Sequence, residues 1–175
     1  MDSVMGRLSL SQINGLPEKD FVEFFGGIYE HSPWVAKDVV SLRPFSSFDS
    51  LKQAFAEAVG SISEERKLLL VREHPELGQK VGVVSKLTPE SAKEQGDAGL
   101  DRLSEEEFAH FNALNNAYAD KFEMPFVICV RQANKDIILA EMSKRLENSP
   151  ADELKTALAH IDQIASLRLQ DKFLT

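Results

Sequence analysis

One stretch of the chain, Phe126–Val130, is the only strongly β-branched run in the sequence, and such a composition favours extended backbone. No second comparable run is present to pair with it, so we predict no β-sheet. We expect instead one extended segment that crosses the interior of a helical protein. The backbone N–H and C=O groups of this segment need hydrogen-bond partners, and a ligand is one candidate.

The rest of the sequence places apolar residues three and four positions apart, which is typical of amphipathic helices. Many of these runs stop at a proline or a glycine. Thr88-Pro89-Glu90 is a clear helix start, with an N-cap residue, a first-turn proline and an early acid, and Pro150 opens a final helix to about Phe173. The sequence has no internal repeat and no interdomain linker. We therefore predict one all-α domain over residues 1–175, a bundle of about eight or more helices with the extended segment near Phe126–Val130.

The composition excludes several classes of protein. The chain has 175 residues, 43% of them apolar, which is enough for a sizeable core. Its net charge of −8 argues against a nucleic-acid partner or an anionic membrane surface, and no apolar run approaches the roughly 18 residues of a membrane span. The single cysteine, Cys129, fits a reducing compartment. No signal peptide and no peroxisomal tail are recognisable, so we expect a cytoplasmic protein.

The segment Arg72–Gly78 joins an apolar helical run to a forced helix end. Pro75 disfavours helical geometry at the residue before it, so the helix should end at or near His74, and Gly78 lets the chain turn away. A histidine at a stiff helix end suits a general acid or base. A helix-terminal histidine without a catalytic role is the alternative.

Other features of the sequence limit the kinds of reaction that the chain could catalyse. The four histidines are far apart in sequence and none has a metal-binding spacing, so we expect no metal, and there is neither a glycine-rich phosphate loop nor a Gly-x-Ser-x-Gly elbow. Ser91, Glu94 and Gln95 share one face of a short polar helix, which is either solvated or lines a site. Arg168 lies on an apolar helix and could extend its charge to water. The remaining classes are a cofactor-free acid–base enzyme and a helical interaction module.

Taken together, these stretches resemble the family of 2-oxo-4-hydroxy-4-carboxy-5-ureidoimidazoline (OHCU) decarboxylases, which act in urate breakdown. The resemblance covers nearly the whole chain through ordered blocks: Ser32-Pro33-Trp34-Val35-Ala36, Glu73-His74-Pro75-Glu76-Leu77-Gly78, Leu87-Thr88 with Ser91 and Glu94-Gln95, Ala98-Gly99-Leu100-Asp101, Phe111–Phe122 with Leu114-Asn115 and Ala117-Tyr118, Pro125–Val130, Arg145-Leu146-Glu147-Asn148, and Ile164–Leu169. It departs from the family at Glu76, where aspartate is common, and in lacking the peroxisomal tail of many eukaryotic members, which favours a cytoplasmic, bacterial member.

The resemblance implies an all-α enzyme, usually dimeric, with no metal or organic cofactor, that converts OHCU to (S)-allantoin and CO2. It assigns the catalytic histidine to His74 and the catalytic acid to Glu94. Substrate contacts are assigned to the residues Pro75, Ser91, Gln95, Phe126, Val127, Ile128, Cys129, Val130 and Arg168. Arg168 would pair with an anionic oxygen of the substrate. A non-enzymatic helical binding module and a hydrolase of the same pathway are the alternatives.

Overall fold

The computed structural model describes residues 6–78 and 87–175. Within these ranges the chain forms nine α-helices and no β-strand, apart from one isolated parallel bridge between Leu8 and Phe173. The helices are α1 Leu10–Gly15, α2 Glu18–Phe25, α3 Trp34–Val40, α4 Phe48–Gly60, α5 Glu64–Arg72, α6 Pro89–Asp97, α7 Glu105–Phe122, α8 Lys135–Arg145 and α9 Pro150–Lys172, with a 3-10 helix at Val130–Gln132. The all-α prediction is confirmed.

Local sequence signals account for several helix ends. The Thr88 side chain accepts a hydrogen bond from the Ser91 N–H, and Pro89 occupies the first turn of α6, as predicted. Ser104 and Glu107 form a capping box at the start of α7. At the other end of α7, Glu123 adopts a left-handed φ of 56°, which stops the helix at Phe122.

The backbone divides into two compact units, Met1–Lys67 with Asp162–Thr175, and Leu68–Ile161. The prediction of one domain over residues 1–175 stays a prediction. No helix in the described ranges is both long enough and apolar enough to cross a bilayer.

The first unit has an aromatic core. Phe25 contacts both Phe21 and Phe55, and Tyr29 stacks on Phe55. The two ends of this unit meet where the Leu8 N–H donates to the Lys172 carbonyl and the Leu174 N–H donates to the Leu8 carbonyl. Helix α3 packs between its neighbours α2 and α4.

The second unit contains α6, α7, the 3-10 helix, α8 and most of α9. Its core is made of fully buried side chains from these helices and from the segments between them: Leu100, Phe111, Tyr118, Phe126, Ile138, Met142 and Ala157. Residues 125–129 lie outside any helix, as predicted for the extended segment. That segment is one residue shorter than predicted, because Val130 begins the 3-10 helix, where the Gln132 N–H donates to the Cys129 carbonyl.

Candidate active site

His74 lies two residues beyond the end of α5 and is only 6% exposed. Leu70 and Val71 anchor this end of the helix in the core, whereas Leu69 is exposed. The His74 N–H still donates to the Val71 carbonyl, and its Nδ1 atom lies 3.1 Å from the Leu70 carbonyl oxygen. A carbonyl oxygen can only accept, so this contact places the ring proton on Nδ1 and leaves Nε2 as the basic nitrogen of the neutral ring.

The turn that follows His74 is held by two amide side chains. Gln95 Oε1 accepts from the Gly78 N–H at 3.3 Å, and Asn115 Nδ2 donates to the Leu77 carbonyl at 2.9 Å. Gly78 has a φ of +73°, and a Cβ atom there would lie 3.0 Å from the Phe111 ring, so only glycine fits. The turn is therefore fixed on both sides by buried groups.

Asn115 was not among the predicted site residues. It is 4% exposed on the apolar stripe of α7, and a buried amide on such a stripe is the signal that could have identified it. Its Nδ2 contact settles the orientation of the amide, and its Oδ1 atom accepts no hydrogen bond from the part of the chain that the structure describes.

Helix α6 turns a polar face inward. Ser91 and Gln95 are buried, so the solvated alternative is wrong for these two residues, while Glu94 is partly exposed. With its Oε1 atom bonded to Gly78, Gln95 has an Nε2 group that donates to no described residue. Both N–H donors of that group remain for a ligand.

The same helix packs against the 3-10 helix Val130–Gln132. Burial raises the pKa of the Cys129 thiol, and the negative charge of Glu94 raises it further. The carboxylate of Glu94 is therefore an electrostatic neighbour of the extended segment. Through Gln95 and Glu94, α6 brings the His74 turn and the extended segment into one neighbourhood within the second unit.

All five residues of Phe126–Val130 are buried, and some of their backbone groups have protein partners. Arg145 Nη1 donates to the Val127 carbonyl at 2.8 Å, and the Cys129 N–H donates to His160 Nδ1 at 3.2 Å. Between them, the N–H and C=O groups of Ile128 make no hydrogen bond to any described residue. Buried backbone groups without partners are rare in proteins, which favours the prediction that a ligand meets this segment.

Arg145, which donates to the Val127 carbonyl, belongs to a buried polar cluster. Arg145 Nη2 lies 2.7 Å from Glu153 Oε2, and the side chains of this ion pair are 3% and 0% exposed. Tyr118 and Asn148 also donate to the Glu153 carboxylate, so its charge is well compensated. The guanidinium of Arg145 stacks on the Phe126 ring at 4.3 Å. Sequence reasoning listed Arg145 and Asn148 in a family block but assigned neither a role.

Arg168 belongs to the first unit and is buried, so the alternative that it extends to water is wrong. Its Nη2 atom lies 2.6 Å from Glu30 Oε1, and its Nη1 atom donates to the carbonyls of Gly27 and Ile28. Glu30 was missed, because nothing in the local pattern marks a buried acid after Tyr29. The assignment of Arg168 to substrate binding stays a prediction.

Metal-ligating side chains are dispersed in the described residues, where no group of three His, Cys, Asp or Glu side chains is placed to hold a metal ion. Pro75 is buried beside His74, at the position predicted for a substrate contact. The predicted roles of Pro75, Ser91, Gln95 and Phe126–Val130 in substrate binding, and of His74 and Glu94 in catalysis, stay predictions.

Comparison with known proteins gives a consistent family. Residues 14–170 match the family model described as OHCU decarboxylase. A protein of Haloferax volcanii named 2-oxo-4-hydroxy-4-carboxy-5-ureidoimidazoline decarboxylase is 44% identical over 169 residues, which are 97% of this chain and 98% of that protein. One of the same name from Halalkalicoccus jeotgali is 41% identical over 95% of this chain and 93% of its own length. A crystal structure of (S)-allantoin synthase superimposes with a TM-score of 0.76 at 30% identity, covering 95% of this chain and 54% of that one.

Proposed function

The chain belongs to the OHCU decarboxylase family, and we propose that it removes CO2 from OHCU to give (S)-allantoin in urate catabolism. It is then a carboxy-lyase. The observation that carries this proposal is the buried His74, whose Nδ1 proton is engaged by the Leu70 carbonyl. A second support is the set of unused hydrogen-bonding groups on Gln95 and Ile128 within the same compact unit.

The substrate explains why no external electron sink is needed. Its carboxylate is attached to a carbon that also carries a hydroxyl and neighbours a C=N bond. When the bond to CO2 breaks, its electron pair forms a C=C bond to the neighbouring carbon, and the C=N pair moves to nitrogen, which takes a proton. The enol that results loses its hydroxyl proton and gains one on the neighbouring carbon, which gives allantoin. Stereospecificity requires that this last proton arrive at one face.

We assign the proton transfer at the hydroxyl and at the carbon to Nε2 of His74. Imidazole can take and return a proton at neutral pH, and such positioned acid–base catalysis contributes about 10²–10⁴-fold. Glu94 orients the histidine or holds a substrate hydroxyl or N–H group. Either role needs a partly desolvated carboxylate next to the site, which fits its position on the inward side of α6.

Polar recognition is assigned to buried polar groups of α6 and of the extended segment. The Nε2 donors of Gln95 and the hydroxyl of Ser91 contact the ureido group and the ring carbonyls. The N–H and C=O of Ile128 pair with a ring amide, which presents the complementary acceptor and donor. Contact of Arg168 with an anionic oxygen rests on the family resemblance alone.

Cofactor independence, a homodimeric state and a cytoplasmic location complete the proposal. Exhaustive chelation is expected to leave turnover unchanged, and a loss that zinc restores would contradict the cofactor-free mechanism. A dimer is expected to have twice the chain mass of 19.5 kDa by light scattering.

The decisive experiment follows freshly prepared OHCU by circular dichroism at neutral pH. Spontaneous decay gives racemic allantoin, whereas the enzyme is expected to release CO2 and to accumulate the (S) product. A hydrolase would open the ring without releasing CO2. A non-enzymatic binding module would leave both the rate and the racemic outcome unchanged, and either result would refute the proposal.

A further inference from the structure

The backbone of Ile128 is held from both sides by side chains of the second unit. On one side Arg145 Nη1 donates to the Val127 carbonyl at 2.8 Å. On the other, His160 Nδ1 accepts from the Cys129 N–H at 3.2 Å. These two contacts fix the peptide groups immediately before and after Ile128, whose own N–H and C=O are unpaired among the described residues.

Arg145 is a stiff support because its guanidinium is also held by an ion pair and by an aromatic ring. Nε donates to Glu153 Oε2 at 2.8 Å, Nη2 lies 2.7 Å from the same oxygen, and the ring of Phe126 covers the guanidinium plane. A guanidinium held by a carboxylate and an aromatic face presents its remaining N–H in one direction. The donor to Val127 is therefore preorganised.

His160 is a different kind of support, because its contact depends on protonation. Nδ1 accepts from a backbone N–H, so it must carry a lone pair, and the ring must be neutral with its proton on Nε2. Burial and the positive charge of Arg145 lower the pKa of His160, although Glu141 and Glu153 oppose the shift. The charged groups that act on the ring are thus Arg145 and Glu141 of α8 and Glu153 of α9 itself.

We propose that Arg145 and His160 are positioning residues that fix the peptides flanking Ile128, so that its N–H and C=O are presented to the cyclic amide of the substrate. His160 fulfils this role only as the neutral imidazole. A protonated ring would turn an N–H toward the Cys129 N–H, and the segment would lose its hold at that end. This inference rests on the proposed function, since it specifies how the same site recognises a ureide ring.

Two substitutions of His160 separate positioning from simple packing. His160→Leu removes the acceptor and keeps an apolar side chain. His160→Asn restores an oxygen near the place of Nδ1 and cannot titrate. His110 is an exposed histidine on α7 outside the site, so His110→Leu is the matched control.

We expect His160→Leu to raise the KM for OHCU about 10-fold with kcat within about 2-fold, because the lost contact positions groups that bind substrate and transition state alike. His160→Asn is expected to hold KM within about 3-fold of the wild-type value. It should also remove the rise of KM that we expect in the wild type as the pH falls through the pKa of His160, which lies below the ordinary histidine value of about 6.5. His110→Leu should change neither parameter.

Amide hydrogen exchange supplies a readout that does not depend on turnover. The Cys129 N–H should exchange faster in His160→Leu and remain protected in His160→Asn. An unchanged KM in His160→Leu overturns the inference, whether or not the amide is protected. If His160→Leu fails to fold, a wild-type pH dependence of KM in His160→Asn overturns it instead. Failure of the proposed function is recognised separately, because the wild-type protein itself would then not accelerate formation of (S)-allantoin.

Discussion

The Nδ1 atom of His74 lies 3.1 Å from the carbonyl oxygen of Leu70, one helical turn earlier in the chain. The same carbonyl accepts from the Glu73 N–H at 3.3 Å, a short-range contact of the kind that closes the last turn of a helix. The imidazole adds a second donor to this oxygen, and the contact gives the ring a fixed tautomer and a fixed orientation. The end of α5 before Pro75 therefore also orients the candidate base at Nε2.

This relationship predicts the effect of replacing His74 with asparagine. The Nδ2 group of asparagine can still donate to the Leu70 carbonyl, but nothing replaces Nε2. We expect His74→Asn to unfold at nearly the wild-type urea concentration and to lose about 10²–10⁴-fold in kcat. His110 is an exposed histidine on α7, so His110→Asn serves as the control and should keep full turnover. Wild-type kcat in His74→Asn would remove His74 from catalysis.

A substitution of Gln95 tests its role in substrate binding separately from its role in the fold. Gln95→Glu keeps an acceptor for the Gly78 N–H but replaces the two unused donors with a carboxylate oxygen. Because the substrate is itself an anion, we expect KM to rise at least about 10-fold while the fold is retained. The exposed Gln163 supplies the control for added charge, since Gln163→Glu should leave KM unchanged. An unaltered KM in Gln95→Glu would show that its amide does not touch the substrate.

Helix type and many helix ends could be predicted from local sequence. Thr88 and Pro89 specify the start of α6 by capping and by a fixed φ, and these effects act over one turn. The absence of a strand from residues 6–78 and 87–175 was predicted from the lack of any partner for Phe126–Val130. These predictions succeeded because each depends on residues that are close together along the chain.

The partners of the candidate site could not be predicted in this way. Glu30 meets Arg168 across 138 positions, and Asn115 meets Leu77 across 38. Neither pair has a spacing that periodicity could detect, because tertiary packing alone brings them together. Burial of the polar face of α6 also depends on tertiary packing. From sequence alone, a helix with little apolar content is predicted to be solvated.

The Glu30–Arg168 pair predicts a large cost for removing either partner. Both side chains are almost fully buried, and a charge left alone there cannot recover its hydration. We expect Glu30→Gln and Arg168→Met each to lower the free energy of unfolding by about 3–5 kcal/mol, with the double variant less destabilised than the sum. Urea denaturation of the four proteins measures this coupling. Additive losses would mean that the two side chains do not interact.

Arg168→Lys tests a separate prediction, the role that the family resemblance assigns to this arginine. Lysine retains the charge but not the planar fork, which here reaches Glu30 and two carbonyl groups at once. We expect kcat/KM for OHCU to fall about 10-fold or more. Lys172→Arg, a change on the same helix outside the predicted contacts, should have little effect on kcat/KM. An unchanged kcat/KM in Arg168→Lys would assign Arg168 to the stability of the first unit alone.

The neutral state of His160 predicts how stability depends on pH. Burial and Arg145 lower its pKa in the folded protein, so below about pH 6.5 the unfolded chain binds a proton that the folded chain does not. Its contribution to stability is therefore complete above that pH and is lost as the pH falls toward the folded pKa, with a slope of at most about 1.4 kcal/mol per pH unit. Urea unfolding between pH 5 and 8 should show this extra loss in the wild type and not in His160→Asn. Parallel curves for the two proteins would mean that folding does not lower the pKa of His160.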